Sequence, residues 1–166
     1  MKLTHINQEG RAQMVNIKDK AITHRLAKAQ AVVTMKPSTL TRILDGDITK
    51  GDVLAVAQVA GIQAAKLTSQ LIPMCHPLPL THVDISVKTN TQEGTITLIS
   101  TVSTEGKTGV EMEALTCVNI AALTVYDMCK SIDKAIRIDH IYLLEKHGGK
   151  SGSYTHPNHK EDHSHG

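Results

Sequence analysis

Between Val110 and Ile132 the chain contains neither glycine nor proline. An unbroken stretch of that length commits much of a 166-residue chain to one long central helix. The glycines Gly106 and Gly109 end whatever precedes it, and Thr108 stands three residues before Glu111 in the spacing of a capping box, so the helix is predicted to start there. Leu115, Val118, Ala122, Val125 and Cys129 recur at three-to-four spacing and form an apolar face that belongs in a core. At 100° per residue, Thr116, Thr124, Asp127 and Lys130 fall close to Glu113 in projection, giving a polar stripe interrupted by Ile120 and Leu123.

Near the end of this helix Asp127 and Lys130 are neighbours at i,i+3. As an isolated surface pair they would be worth a few tenths of a kcal/mol. Their flanks, Thr124, Val125, Tyr126, Met128 and Cys129, are mostly apolar, and a partly desolvated carboxylate and ammonium suit proton transfer. A catalytic pair therefore competes with a structural one.

Length allows one well-buried domain, expected over 1–152, and a net charge of +2 carries no nucleic-acid footprint. With no Trp or Phe and three Tyr, the aromatic platforms that stack single-stranded bases are nearly missing. Cys75, Cys117 and Cys129 are odd in number and lack CxxC spacing, which fits a reduced, cytoplasmic setting. No apolar window reaches the roughly 18 residues of a membrane span.

Residues 1–28 read as a polar arm with one apolar patch at Met14, Val15 and Ile17. A strand is predicted over 29–35, then a short helix over 39–45 capped by Ser38, then a helix from Val53 through 71 capped by Asp52. Gly61 inside that helix implies close approach of another backbone. Three prolines in 71–80 (LIPMCHPLPL) exclude regular structure and make a stiff loop presenting Cys75 and His76. Alternating residues on either side of NTQEG (90–94) give a hairpin, and 135–144 give a last strand. The order β-α-α-β-β-α-β is that of the α+β, ferredoxin-like plan: a four-stranded antiparallel sheet with helices on one face. Residues 153–166 form a His-rich tail whose end is expected to be disordered and functionally inert; His156, His159, His163 and His165 offer at most an adventitious metal site.

Gly106-Lys107-Thr108 and Gly149-Lys150-Ser151 imitate phosphate loops, but the required earlier glycine is replaced by Thr101 and Leu144, so neither is a Walker motif. What remains is an anion site of backbone N–H groups and lysine at a helix start, or an ordinary glycine turn. Cys75 and His76 lack the further short-spaced ligands of a zinc site, so no metal is expected. Glu111 and Glu113 at a helix N-terminus complement its dipole. Glu113 and Asp127 lie about 21 Å apart along one helix, too far for one chain to aim both at a single small reacting centre.

Taken in order, LIPMCHPLPL, GKTGVEMEALT, ALTVYDMCK and KHGGKSG resemble the cyclic pyranopterin monophosphate synthase family of molybdenum-cofactor biosynthesis, from about Thr4 to Gly152. The resemblance implies a lyase that converts (8S)-3′,8-cyclo-7,8-dihydroguanosine 5′-triphosphate to cyclic pyranopterin monophosphate with loss of pyrophosphate. It implies a ferredoxin-like homohexamer, a trimer of dimers, with sites between subunits. Asp127 and Lys130 match the family's catalytic pair, and Lys50, the lysine of its K-G-D motif, is implied as a third catalytic residue. Met74, Cys75, His76, Glu111, Met112 and Glu113 match substrate-binding segments, and the resemblance implies Arg25, Lys107, Lys146 and Lys150 as triphosphate contacts. No cofactor is implied beyond a divalent cation such as magnesium accompanying the triphosphate. The chain departs from the family at Asn16, where Asp is common. The rival expectation is a non-catalytic ferredoxin-like ligand-binding or regulatory module, in which Asp127 and Lys130 are dispensable.

Overall fold

The computed structural model describes residues 6–7, 9–157 and 159. Its elements are β1 (Thr23–Thr34), α1 (Pro37–Leu44), α2 (Val53–Lys66), α3 (Thr68–Leu71), β2 (Leu80–Asn90), β3 (Thr95–Gly106), α4 (Glu111–Cys129), β4 (Arg137–His147) and β5 (Tyr154–Thr155). The strands lie in the order β2-β3-β1-β4-β5, every adjacent pair antiparallel. The α+β architecture and the order expected from the sequence both hold. The sheet has five strands rather than four because Tyr154–Thr155, placed by sequence in the tail, add to the outer side of β4. The part of the tail expectation that falls on 158 and 160–166, including His163 and His165, lies outside the described residues.

Strand β1 is at the centre, and its alternation explains the layering. Ala27, Ala29, Ala31 and Val33 are fully buried, while Lys28 between them pairs with Glu145 of β4. Small residues on the buried side let α4 approach the sheet closely, and α4 contacts β1, β3 and β4. Helix α2 packs mainly on α4. At Gly61 a methyl group would run into Ile85 Cδ1 and stand 2.8 Å from the Cys117 carbonyl oxygen, so the expected close approach is to the α4 backbone.

Several boundaries differ from expectation for identifiable reasons. β1 begins at Thr23, inside the presumed arm, because residues 23–28 pair with 101–106 of β3. Ser38 does not cap α1: Pro37 takes a first-turn position, and the buried carboxylate of Asp133 accepts from Lys36 N (3.0 Å) and Thr39 Oγ1 (3.1 Å). A residue about a hundred positions away performs the capping. Asp52 caps α2 as expected, accepting from Ala55 N. Thr108 does not cap α4, which starts at Glu111 after a buried Val110 and has no side-chain cap. The stripe read as polar is solvent-facing only toward the C-terminal end of α4: Glu113 and Thr116 are buried, Asp127 and Lys130 exposed.

Candidate active site

Helix α4 carries chemically different groups at its two ends. At its start the Pro-rich loop, the GKTG turn and the arm enclose a cleft of about 540 Å³, lined by Met74, Cys75, His76, Glu111, Met112 and Glu113 among others. All six residues assigned to substrate binding from the loop and the helix start are thus brought together. His76 Nε2 donates to the Val15 carbonyl oxygen at 2.7 Å, which fixes the ring and makes the arm one wall of the cleft. Asn16, at the departure noted above, accepts from Lys18 N at 2.9 Å, a turn-forming bond that needs no negative charge.

Glu113 is only 4% exposed. Burial pushes its carboxyl up to about 7 and the Glu111 carboxylate adds to the rise, against a lowering by a backbone N–H. Near neutral pH it therefore exchanges a proton readily. Burial, then the Glu113 charge, also raises the Cys75 thiol, which marks it as a packing or contact group rather than a ready thiolate.

Beside this cleft, and sharing Lys20, Thr108, Gly109 and Glu111 with it, lies a basin of about 700 Å³. Its walls include Arg25, Lys107, Lys146 and Lys150, the four expected triphosphate contacts. Arg25 Nε donates to Gly106 O (3.3 Å), and Lys146 Nζ to Ser151 Oγ (2.6 Å). Lys107 Nζ donates to the Lys18 carbonyl oxygen (2.6 Å), so it also ties down the arm. Lys20 was missed by the sequence reading, which treated residues 1–28 as an appendage. The signal was a charged run, Lys18-Asp19-Lys20, directly after the apolar patch.

At the other end of α4, Asp127 sits between two ammonium groups. Lys130 Nζ donates to Oδ1 (2.6 Å); Lys50 Nζ, from the α1–α2 link, donates to Oδ2 (2.9 Å) and to the Asp127 carbonyl oxygen (2.8 Å). The bond from Lys130, then that from Lys50, holds the Asp127 carboxyl down at about 2, and Asp127 in turn raises Lys130. The three residues assigned to catalysis form one cluster, and it lies on the surface. Because α4 runs unbroken from Glu111 to Cys129, this cluster remains about 21 Å along the axis from Glu113.

Among the described residues no group of three or more His, Cys, Asp or Glu is disposed to hold a metal ion, and no helix is long and apolar enough to cross a membrane. All three cysteines are free thiols.

A split βαβ sheet with a cleft beside a basin lined by cationic side chains defines the class as an α+β protein with room for a small anionic ligand. The particular family follows from comparison: the MoaC family model matches residues 14–149, and the chain belongs to that family. It is 57% identical over 153 residues to the cyclic pyranopterin monophosphate synthase of Brevibacillus brevis, covering 92% of this chain and 95% of that one. The enzyme of that name from Listeria monocytogenes is 60% identical over 152 residues (92% and 94% covered), and that from Thermomicrobium roseum 53% over 153 residues (92% of each).

Proposed function

We propose that this chain is a cyclic pyranopterin monophosphate synthase of molybdenum cofactor biosynthesis, a lyase that rearranges a cyclised dihydro-GTP and releases pyrophosphate. The observation that carries the reading is the pairing of a cleft for proton transfer with a separate cationic basin, on a chain more than half identical to proteins of that name. Arg25, Lys107, Lys146 and Lys150 hold the triphosphate and offset the charge of departing pyrophosphate, with magnesium compatible but not required by any protein ligand set. Met74, Cys75, Met112 and His76 pack and orient the base-derived rings; Nδ1 of His76 is the ring atom not committed to Val15. Glu113, close to half-protonated at neutral pH, takes or gives a proton within the cleft, and Glu111 keeps its affinity high.

Asp127 stays ionised and serves as an acceptor, whereas Lys130, whose proton it holds, serves as a donor; Lys50 fixes the carboxylate between them. These groups cannot reach the cleft of their own chain, so the complete site joins the Asp127 end of one subunit to the Glu113 end of another. Val59 and Leu123, each more than half exposed, and Val56 leave apolar surface on α2 and α4 for a second copy to cover. A homohexamer built as a trimer of dimers, in the cytoplasm, accommodates this arrangement. The deciding experiment is incubation of the protein with the 3′,8-cyclised dihydro-GTP while pyrophosphate is assayed. Stoichiometric release with formation of the cyclic phosphate is expected; binding without turnover would instead support a ligand-binding module.

A further inference from the structure

The chain after the last family motif folds back on the sheet, and what it holds is a wall of the cationic basin. Gly149, Lys150 and Ser151, which line the basin, belong to the short connection between β4 and β5. Gly148 and Gly149 adopt φ of +91° and +84°, and a side chain at Gly148 would run into the backbone carbonyl oxygen of His24. Such a turn keeps its shape only if both of its ends are fixed. One end is β4. The other is β5, two residues long, paired through Glu145 with Thr155 and Lys146 with Tyr154, which is marginal without further contacts.

Those contacts come from Ser153, His156 and His159. Ser153 Oγ bonds His147 Nδ1 at 3.1 Å. The His156 N–H donates to the Leu144 carbonyl oxygen at 2.7 Å, and its ring stacks on Tyr142 with centroids 4.3 Å apart and planes at 29°. His159 N–H donates to the His156 carbonyl oxygen at 2.8 Å, and its Nε2 lies 3.8 Å from Glu145 Oε2. Glu145 is itself buried and anchored by Lys28 Nζ at 2.7 Å, with His147 Nε2 at 3.8 Å. Neighbouring strand positions point to opposite faces, so Glu145 and His147 take the tail while Lys146 between them faces the basin and bonds Ser151.

We propose that residues 153–157 together with His159 are a clasp that positions Lys146, Lys150 and Ser151 in the cationic basin, acting on the affinity for the phosphate chain of the substrate and not on the chemical step. This departs from the expectation that the tail is inert, and it rests on the functional reading above. The clasp does not touch the reacting atoms. Released, it leaves a glycine-rich turn with two lysine stems to be ordered at each binding event, a cost of about tenfold in affinity.

The test compares the full chain with versions ending after His159 and after Ser153, using inorganic pyrophosphate titrated by calorimetry as the probe, together with KM and kcat for the cyclised nucleotide. Ending after His159 should leave all three within about twofold, whereas ending after Ser153 should raise KM and the pyrophosphate Kd about tenfold with kcat within about twofold. Should the shorter form fold poorly, His156→Ala is expected to move KM and Kd in the same direction, with His156→Phe, which keeps the stacked ring, restoring both. Unchanged pyrophosphate binding in the clasp-deficient forms, loss confined to kcat, or a full chain that does not bind pyrophosphate would each overturn the proposal. Weakened pyrophosphate binding in a protein that never turns over the nucleotide would uphold the clasp and refute the catalytic reading.

Discussion

Replacing Glu113 with Gln separates what this carboxyl costs the fold from what it contributes to the site. Its ordinary value of 4.5 is raised to about 7 by burial first and by Glu111 second. The folded protein therefore keeps a proton that the unfolded chain releases between those two values. The stabilising contribution is fully present below about pH 4.5, is lost as pH rises toward 7 and stays lost above it. A displacement of that size corresponds to about 3 kcal/mol of lost stability across the interval. Glutamine is neutral throughout and occupies the same volume, so the variant should not show this loss. Urea denaturation at fixed protein concentration and salt, repeated from pH 4.5 to 8, should give a difference between variant and wild type that shifts by about 3 kcal/mol in favour of glutamine. Titrating groups that do not feel the Glu113 charge are common to both proteins and cancel in that difference.

A second readout is Cys75, whose thiol is raised partly by the Glu113 charge. In the Gln variant its alkylation at pH 8 should be faster than in the wild type, with the buried Cys117 and Cys129 unaffected. Stability differences that stay parallel across the whole pH range would refute the buried-carboxyl account, whatever the variant does to turnover.

Asp127→Asn and Lys130→Ala should each abolish pyrophosphate release while leaving Tm nearly unchanged, since both side chains are exposed; wild-type rates in either would remove them from the site. Asp127→Asn and Glu113→Gln chains, dissociated, mixed in equal amounts and reassembled, should recover about a quarter of wild-type activity per site if each site draws one residue from each of two subunits. No recovery despite subunit exchange verified by mass would refute the shared site. Gly61→Ala should lower stability by about 1–3 kcal/mol, because the added methyl meets the Cys117 carbonyl as well as the Ile85 side chain and a helix backbone cannot easily give way; an unchanged Tm would show that α2 and α4 can separate without cost.

What the sequence made legible was set by local signals, and what it hid was set by distant partners. Helix α4 could be read from the absence of breakers, the 71–80 loop from its prolines, and the hairpin from alternation around 90–94, all of which act within a few residues. The start of β1 could not, because Lys28 looks like an arm residue until Glu145 is placed opposite it. The cap of α1 was assigned to the nearest serine, whereas the acceptor is Asp133, delivered by the turn after α4. A two-residue strand such as β5 has no periodicity to detect, so the tail could be read only by its composition.

The same division runs through the site. Family motifs named the residues of the cleft and of the Asp127 cluster but not Lys20, and under the proposed reading, in which Glu113 and Asp127 serve one site, the unbroken helix between them asks for more than one chain. A helix cannot fold back to bring its ends together, so in the proposed reading the exposed cluster at one end and the buried carboxyl at the other serve as halves of sites completed by another subunit. That geometry also accounts for the contrast in their electrostatics. The Glu113 half is desolvated within the chain, where burial, with the Glu111 charge added to it, raises the carboxyl. The Asp127 half is still solvated, so its charge is fixed by two lysines rather than by its surroundings. Covering the Asp127 half with a second subunit would remove water from three interacting charges and strengthen the bonds among them. The catalytic cluster would then reach its full strength only on assembly.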